Sequence, residues 1–171
     1  MRLGILLLFL LNLAACKTNS QKVNQAEKSK TEINDPTSSI EKVIKTEEEW
    51  SQLLSESEYY VIRKKGTERP FTGPYWDNKK EGIYKCRACD LELFDAATKF
   101  KSGTGWPSYY QPLREEVILE DTDYDLGYAR TEVMCNRCEG HLGHVFPDGP
   151  KPTGLRYCIN GTSLKFVEKE K

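Results

Sequence analysis

Six cysteines are the residues of this 171-residue chain with the clearest capacity for chemistry, and their spacing divides them into three groups. Four form two C-x-x-C pairs, which are Cys86, Cys89, Cys135 and Cys138. Cys158 stands alone, and Cys16 follows an apolar N-terminal run. Two tight turns that each present two thiolates can hold a tetrahedral metal ion. We therefore predict that the paired cysteines hold a structural zinc ion, which joins two distant segments of the chain.

The paired cysteines also have other interpretations. The apolar N-terminal run predicts export to an oxidising compartment, where the four thiols could form two disulfides. One pair could instead be a thioredoxin-like redox couple, but neither pair is followed by the helical pattern that usually accompanies one. Ligand geometry does not separate zinc from iron in a four-sulfur site. Zinc is favoured because two matched pairs are more specific than one.

Cys158 has two competing interpretations. On a strand, the alternation of side chains favours a buried core cysteine. A single unpaired cysteine, with histidines elsewhere in the sequence, is also a candidate nucleophile. Arg156 lies two residues away and shares the face of Cys158 in an extended strand. Its positive charge is expected to lower the pKa of the Cys158 thiol and to enrich the reactive thiolate.

Two further segments carry side chains that could serve a reaction at Cys158. The two histidines of the chain, His141 and His144, lie in the glycine-rich segment Gly-His-Leu-Gly-His-Val-Phe. A spacing of three places two side chains on one face only in a helix, and the flanking glycines argue against a helix. The spacing therefore does not show that both histidines reach one site. Trp106 lies in a glycine-rich loop, where a tryptophan is more often at a surface or pocket than in a core.

The rest of the sequence indicates a mostly β, antiparallel domain that follows a short helical hairpin. Thr46 and Ser55 each begin a capping-box pattern, which predicts two short helices, the second ending at Gly66. After Pro70, short β-branched and aromatic segments alternate with turn residues. The candidate strands are 82–85, 116–120, 127–134, 144–146, 157–159 and 164–168.

The N-terminus predicts export. Residues 3–13 form an apolar run that is too short to span a bilayer and that matches a signal peptide. The ending Leu-Ala-Ala-Cys at 13–16 resembles the lipobox of bacterial lipoproteins, which implies cleavage before Cys16 and a diacylglycerol anchor on its thiol. The alternative is an ordinary signal peptide that is cleaved elsewhere.

These observations divide the chain into three parts. We expect a signal peptide at 1–15, a lipidated flexible tether at 16–42 and a folded domain at 43–171. The localisation that follows is an exported, membrane-anchored lipoprotein, on the periplasmic side or in the outer membrane of a two-membrane bacterium. A net charge of -1 gives no strong field to attract nucleic acid, so we expect no nucleic-acid partner.

The motifs together resemble the B-type methionine sulfoxide reductases, which act on the R epimer of the sulfoxide. The resemblance runs from about residue 59 to residue 166. It rests on the two C-x-x-C pairs, Ser-Gly-Thr-Gly-Trp-Pro-Ser at 102–108, the histidine segment at 140–146, and Arg-Tyr-Cys-Ile-Asn at 156–160. It implies a fold of two antiparallel sheets with N-terminal helices, and a zinc site away from the reaction.

The resemblance also implies a role for each site residue. Cys158 is the nucleophile, and Trp106 packs on the methyl group of the substrate. Three side chains surround the sulfoxide oxygen, directly or through water, and these are His141, His144 and Asn160. Arg156 matches a substrate-site residue near the nucleophile. Attack by the thiolate on sulfur releases methionine and leaves a sulfenic acid on Cys158.

Thr104 departs from the pattern of many family members, which carry a cysteine there that resolves the sulfenic acid as a disulfide. The chain has no spare cysteine for this step. We expect an external thiol, from a thioredoxin-like exported protein, to reduce the sulfenic acid directly. The expected substrate is methionine sulfoxide in exported proteins.

Two other functions compete with this one. A non-enzymatic zinc module that binds another macromolecule would explain the four paired cysteines, but not Cys158, the histidines and Trp106 together. A thiol–disulfide oxidoreductase would use one C-x-x-C pair, and stoichiometric zinc would argue against it.

Overall fold

The structure is a computed structural model that describes residues 40–170 of the chain. The predicted signal peptide, Cys16 and nearly all of the predicted tether lie outside the described residues. Within the described range, no helix is long and apolar enough to cross a membrane.

Two short helices open the described part, as the capping boxes predict. They are α1, Glu47–Leu53, and α2, Glu56–Arg63. The hydroxyls of Thr46 and Ser55 each accept a hydrogen bond from the backbone N–H three residues on, and the glutamate side chain there accepts one from the backbone N–H of the cap residue. These bonds satisfy N–H groups that the start of a helix leaves unpaired. The second helix ends at Arg63, three residues before the predicted end.

The helices are held to the domain by a few buried side chains. Trp50 is 1% exposed, and the guanidinium of Arg63 lies 5.3 Å from the centre of its ring. Val61 and Ile62 are buried on α2, and burying a side chain of this kind stabilises the fold by about 1.5–3 kcal/mol. The hairpin therefore packs on the domain, as the sequence predicts.

The strands follow in the order of the chain. They are β1, Gly82–Cys86; β2, Glu92–Asp95; β3, Lys99–Phe100; β4, Ser108–Tyr109; β5, Ile118–Asp123; β6, Arg130–Cys135; β7, His141–Phe146; β8, Arg156–Ile159; and β9, Leu164–Glu168. A three-stranded sheet has the order β2-β1-β9, and a six-stranded sheet has the order β3-β4-β8-β7-β6-β5. All described pairings are antiparallel, which confirms the predicted fold class.

Strand boundaries show where the sequence patterns mislead. The last strand has the predicted bounds, but β2, β3 and β4 were not predicted. The strands β3 and β4 have two residues each, too few for any period-2 pattern to appear. The prediction for 116–120 was wrong at its start, because Glu115–Val117 form a 3₁₀ turn before β5. The predicted strand at 127–134 begins only at Arg130, and the one at 144–146 begins earlier, at His141.

Aromatic side chains join the two sheets. The rings of Phe94 on β2 and Tyr109 on β4 stack with centroids 4.3 Å apart. Tyr84 on β1 meets Tyr109 edge to face at 5.3 Å. All three side chains are fully buried, and such pairs add to the stability that comes from burial alone. The core therefore lies between the sheets. The strand β8 is an interior strand of the larger sheet, between β4 and β7.

Candidate active site

Cys158 lies on the central strand β8, on the face turned away from the core. Burial alternates along this strand, so Tyr157 and Ile159 are buried while Arg156 and Cys158 are half-buried. The interpretation of Cys158 as a sealed core cysteine is therefore wrong. Arg156 shares its face, as the sequence predicts.

The strands on either side bring two polar side chains level with Cys158. Ser108 on β4 and His144 on β7 are its direct partners in the antiparallel ladder. Side chains of directly paired residues stand about 4.5–5.5 Å apart at Cβ, on one face. Gly143 allows β7 to approach this closely, because a Cβ there would lie 2.1 Å from the carbonyl oxygen of Cys158.

A chain of hydroxyl groups leads to the sulfur of Cys158. Thr104 Oγ1 lies 3.8 Å from Cys158 Sγ. Ser102 Oγ lies 2.9 Å from Thr104 Oγ1 and 2.7 Å from Ser108 Oγ. The motif at 102–108 thus supplies hydrogen-bond donors that can stabilise a thiolate.

The balance of these surroundings sets the acidity of the thiol. Burial raises the pKa of the Cys158 thiol and outweighs the opposing effects of Thr104, Arg156 and Ser108, so the net shift is upward. Arg156 does favour the thiolate, as the sequence predicts. However, its guanidinium makes a bidentate pair with Asp148, at 2.8 and 2.9 Å, which neutralises part of its charge. The prediction of a lowered pKa was therefore wrong for the net shift.

The two histidines share one face although they are three residues apart on a strand. The register between β6 and β7 shifts, so that Glu132 pairs with His144, and Met134 pairs with His141. This irregularity skips Leu142, as a β-bulge does, and returns both side chains to the same face. The ring centroids of His141 and His144 lie 5.5 Å apart.

His141 is held by a buried carboxylate. Its Nδ1 lies 2.7 Å from Glu132 Oε1, and Lys65 Nζ lies 2.7 Å from the other carboxylate oxygen. Burial opposes the charged form of Glu132, but the hydrogen bonds from His141 and Lys65 outweigh it and hold its pKa below the usual value. An ionised Glu132 accepts the Nδ1–H of His141 and leaves Nε2 as the nitrogen without a partner in the described structure.

His144 has a different carboxylate partner. Its Nε2 lies 2.7 Å from Asp123 Oδ2, and Arg130 pairs with the same carboxylate. Hydrogen bonding from the backbone of Asp125, with help from His144 and Arg130, lowers the pKa of Asp123 to about 2. Burial lowers the pKa of His144, so its neutral form predominates at neutral pH.

Trp106 and Asn160 are both tied to the backbone of Glu68. Trp106 Nε1 donates to the carbonyl oxygen of Glu68 at 3.1 Å, and the N–H of Glu68 donates to Asn160 Oδ1 at 3.1 Å. Asn160 Nδ2 donates to the carbonyl of Leu142 at 3.1 Å. The carboxylate of Glu68 accepts the N–H of Gly161 at 2.6 Å, which fixes its segment to the end of β8.

Sequence reasoning singled out His144 and Arg156 near Cys158, but it missed the hydroxyl of Ser108 and the residues that hold the site in place. Glu68 lies far along the chain from its partners, Glu132 and Asp123 meet their histidine partners through the pairing of neighbouring strands, and no motif marks any of the three. The only available signal is Glu132, because a charged residue is rarely found at a buried strand position such as the one that it occupies on β6.

The four paired cysteines come together as a separate cluster. Their sulfur atoms all lie within 4.8 Å of one another, and the closest contacts join the two pairs, at 3.6 Å for Cys86–Cys138 and 3.5 Å for Cys89–Cys135. These distances are much longer than a disulfide bond of about 2.05 Å. All four thiols are free in this structure.

Both C-x-x-C turns have the same backbone geometry. Asp90 and Glu139 follow the pairs, and both have a φ of 58°. Their N–H groups donate to the carbonyls of Cys86 and Cys135 at 2.9 and 2.8 Å. A non-glycine residue in the left-handed region is uncommon, so its repetition shows that each turn is shaped to present two sulfurs inward.

The cluster fits a tetrahedral metal ion. A Zn–S bond of about 2.3 Å gives a tetrahedral edge of about 3.8 Å, close to the shortest contacts between the pairs. The pKa of the Cys86 thiol is raised well above its usual value by hydrogen bonding to the other three sulfurs and by burial. A divalent cation would stabilise four sulfur atoms at such short distances from one another, because it binds thiolates directly.

Comparison with known proteins agrees with this arrangement. The family model described as SelR domain matches residues 54–168. Proteins named peptide methionine sulfoxide reductase MsrB match the chain at 54% identity in Agrobacterium fabrum, over 73% of this chain and 93% of that protein. The corresponding protein of Pseudomonas putida is 54% identical over 77% of this chain and 98% of its own length.

A third relative, from Thiobacillus denitrificans, bears the same name and is 54% identical over 74% of this chain and 96% of its own length. These matches favour an enzyme over the zinc-binding interaction module that the sequence left as an alternative. The chain belongs to the B-type methionine sulfoxide reductases, oxidoreductases that reduce methionine sulfoxide.

Proposed function

We propose that this chain reduces the R epimer of peptide-bound methionine sulfoxide, with Cys158 as the nucleophile. The observation that carries the proposal is the surroundings of Cys158. The thiol is half-buried on β8, level with a hydroxyl on one neighbouring strand and an imidazole on the other. A nucleophile next to a base or acid is the arrangement that covalent catalysis requires.

The proposed step conserves atoms and electrons. The Cys158 thiolate attacks the sulfoxide sulfur, the oxygen takes up a proton, and the oxygen is transferred to Cys158. The sulfoxide is reduced by two electrons to methionine, and Cys158 is oxidised to a sulfenic acid. Because the pKa of the Cys158 thiol is raised, the thiol must first lose its proton, and the hydroxyls of Thr104 and Ser108 stabilise the thiolate.

In this proposal the histidines act first as bases, because the ring of His144 is neutral at neutral pH, and they transfer the proton of the Cys158 thiol to the sulfoxide oxygen. His144 is the neighbour of Cys158 across the strands, so its imidazole contacts the sulfoxide oxygen directly or through a water molecule. His141 lies next to it, with the ring centroids 5.5 Å apart, and the Glu132 carboxylate fixes the orientation of its ring. A histidine that shuttles one proton near neutral pH fits the demand of the reaction.

Trp106 and Asn160 complete the proposed substrate site. The face of the Trp106 indole packs on the substrate methyl group and excludes larger groups. One N–H of the Asn160 amide is bound to Leu142, so the second N–H is the group that can donate to the sulfoxide oxygen or to a bound water. Arg156 orients the site from beside Cys158 while Asp148 fixes its guanidinium.

The sulfenic acid is proposed to be reduced by an external, thioredoxin-like thiol. Thr104 lies 3.8 Å from the sulfur of Cys158 and offers a hydroxyl rather than a thiol. The other four cysteines of the described residues lie in the cluster. A first external thiol forms a mixed disulfide with Cys158 and releases water, and a second thiol then restores the Cys158 thiol.

The cluster is proposed to bind zinc as a structural ion. Cys86, Cys89, Cys135 and Cys138 would hold it as thiolates, and the bound ion would contribute folding stability rather than chemistry. It would join the end of β1 to the end of β6, and so link the two sheets.

The protein is further proposed to be exported and anchored to a membrane through Cys16, with residues 16–42 as a flexible tether and 43–171 as the reductase domain. The signal-like run and the Leu-Ala-Ala-Cys ending support this proposal. Growth with a tagged fatty acid should label the parent protein, and Cys16→Ser should remove the label. An unlabelled parent protein would contradict the anchor.

Separated sulfoxide epimers test the proposed reaction. The purified protein, with a dithiol reductant, is expected to reduce N-acetylmethionine R-sulfoxide and to leave the S epimer unchanged. Methionine formation is measured for each epimer by chromatography. Equal rates for both epimers, or activity on the S epimer alone, would overturn the proposal.

A further inference from the structure

A groove with a volume of about 480 Å³ lies beside Trp106 and has no role in the reaction described above. Its walls include part of the 102–106 loop and the aromatic side chains of Phe71, Trp76 and Phe100. Neither Cys158 nor either histidine lines it. The groove is therefore adjacent to the proposed substrate site and is not part of the reacting centre.

Two aromatic side chains in the groove are unusually exposed for their size. Phe71 is 55% exposed and Trp76 is 40% exposed. Their rings meet edge to face with centroids 5.3 Å apart. Exposed apolar surface of this kind marks interaction sites more often than a scattered single residue does.

The backbone holds Phe71 in place against the loop that carries Trp106. Its N–H donates to the carbonyl of Gly105 at 2.9 Å, and its φ is 64°, in the left-handed region that a bulky residue rarely adopts. A Cβ at Gly105 would lie 2.8 Å from the nitrogen of Phe71, so the close approach requires glycine there. The exposed ring is thus fixed in its position.

The groove is positively charged. Its lining contains four lysines and one aspartate, which are Lys79, Lys80, Lys99, Lys101 and Asp77. Lys80 is paired with Glu168 at 2.7 Å. Lys79 and Lys101 are exposed and make no ion pair with any residue that the structure describes. An occupant with acidic side chains would complement this charge.

The groove and the site at Cys158 share the loop at 102–106. Ser102 and Trp106 line the groove, and Ser102 also belongs to the hydroxyl chain that reaches Cys158. A polypeptide whose oxidised methionine meets Trp106 has its neighbouring residues beside the same loop. An extended chain advances about 3.3 Å per residue, so the residues that directly flank the oxidised methionine stay close to this loop.

We propose that the groove binds the residues that flank methionine sulfoxide in an extended polypeptide, and that it prefers segments with apolar and acidic side chains. Phe71 and Trp76 contact the apolar side chains, while Lys79 and Lys101 attract the carboxylates. This inference rests on the proposed function, since it requires the oxidised methionine to lie at Cys158.

Three R-sulfoxide substrates test the inference with the full-length protein. One is N-acetylmethionine R-sulfoxide amide, which has no flanking residues. The others are peptides with Leu-Asp or Leu-Lys on both sides of the oxidised methionine, so that the direction of binding does not matter. The parent is expected to reduce the acidic peptide with a kcat/KM about tenfold above that of the lysine peptide, and salt should narrow the difference.

Variants of the groove connect this preference to named residues. Phe71→Ala and Trp76→Ala are expected to raise KM for the acidic peptide about fivefold, with kcat and the single-residue substrate unchanged. Lys79→Glu and Lys101→Glu should raise KM for the acidic peptide and lower KM for the lysine peptide. Lys45→Glu makes the same charge change on an exposed residue outside the groove, and it should leave all three substrates unchanged.

The outcomes separate the inference from the proposed function. If the groove variants leave peptide KM unchanged, or slow the single-residue substrate equally, the inference is overturned. The lysine variants retain this test if an aromatic variant fails to fold, because both lysines are exposed. If the parent reduces none of the three R-sulfoxides, the proposed function itself fails.

Discussion

Cys158 and the four-cysteine cluster carry the same thiol group and differ in what surrounds it. In the cluster, sulfur atoms face other sulfur atoms, at 3.6 Å for Cys86–Cys138 and 3.5 Å for Cys89–Cys135. Cys158 Sγ instead lies 3.8 Å from the Thr104 hydroxyl, and His144 is its partner on the neighbouring strand. Thiols that face one another suit a metal, whereas a single thiol among hydroxyls and imidazoles suits a reaction.

The two regions also differ in how they are held in place. Two turns with the same backbone hydrogen bonds present the cluster sulfurs, so its geometry is local to each pair. The site at Cys158 is assembled from β4, β7 and β8 and from the segment around Glu68. A site built from distant segments depends on residues that make no contact with the substrate.

The largest expected effect is the loss of activity when the reactive sulfur of Cys158 is replaced. Cys158→Ser should lower kcat/KM for the R-sulfoxide at least about 10³-fold, because an alcohol is a far weaker nucleophile than a thiolate. Metal content and thermal stability should remain those of the parent, since Cys158 is half-buried and bears no part of the cluster. Steady-state kinetics measures kcat/KM, and metal analysis and calorimetry measure the other two quantities. Activity near the parent level would refute the role of Cys158.

The matched change in the cluster should reduce stability and metal binding and leave the reaction rate nearly unchanged. Cys135→Ser should abolish stoichiometric zinc binding and lower the free energy of unfolding by about 3 kcal/mol or more, because Cys135 is fully buried and the ion links two segments. The rate per folded molecule should stay close to that of the parent at low temperature. Metal analysis and denaturant unfolding test this, and an unchanged unfolding free energy would show that the cluster is not a structural metal site.

A third change removes a contact that positions the segments around Cys158, and it has no counterpart in the cluster. Glu68→Gln should lower kcat/KM about tenfold, because the amide cannot accept both N–H groups of Gly161 and Thr162 as the carboxylate does. The effect should fall on activity much more than on stability. Glu68→Asp retains the charge and should recover part of the rate, and Glu92→Gln on an exposed strand position serves as the control. A rate equal to the parent's would remove Glu68 from the positioning network.

The smallest expected effect concerns the ionisation of Cys158. The Thr104 hydroxyl lowers the pKa of the Cys158 thiol, so Thr104→Val should raise it and move thiolate formation to higher pH. The rate of alkylation by iodoacetamide, followed against pH, measures this shift. Thr104→Ser keeps the hydroxyl and should titrate like the parent. An unchanged titration in Thr104→Val would mean that this hydroxyl does not stabilise the thiolate.

Local patterns predicted the features that local physics determines. The capping boxes at Thr46 and Ser55 begin helices, since each needs only its own four residues. The two C-x-x-C pairs meet, because each pair alone defines a turn that presents two sulfurs. The β-branched and aromatic residues of 164–168, which follow turn residues, located β9, and this strand pairs along its whole length with β1.

Features that depend on distant contacts escaped the sequence. The bulge that brings His141 and His144 to one face arises from the register between β6 and β7. The burial of Glu132 beside Lys65 and His141 joins three elements that no motif connects. The net pKa of Cys158 depends on burial and on the pairing of Arg156 with Asp148, and the charge of Arg156 alone predicts the wrong direction.

The central claim is that the sulfur of Cys158 takes the oxygen from the sulfoxide. The most direct measurement is intact-mass analysis of the reduced protein after a single turnover with R-sulfoxide and no added thiol. The account predicts one methionine per protein molecule and the gain of one oxygen atom, located on Cys158 by a sulfenic-acid trap and absent in Cys158→Ser. A disulfide between Cys158 and another cysteine of the same chain, or oxygen on any other residue, would contradict it.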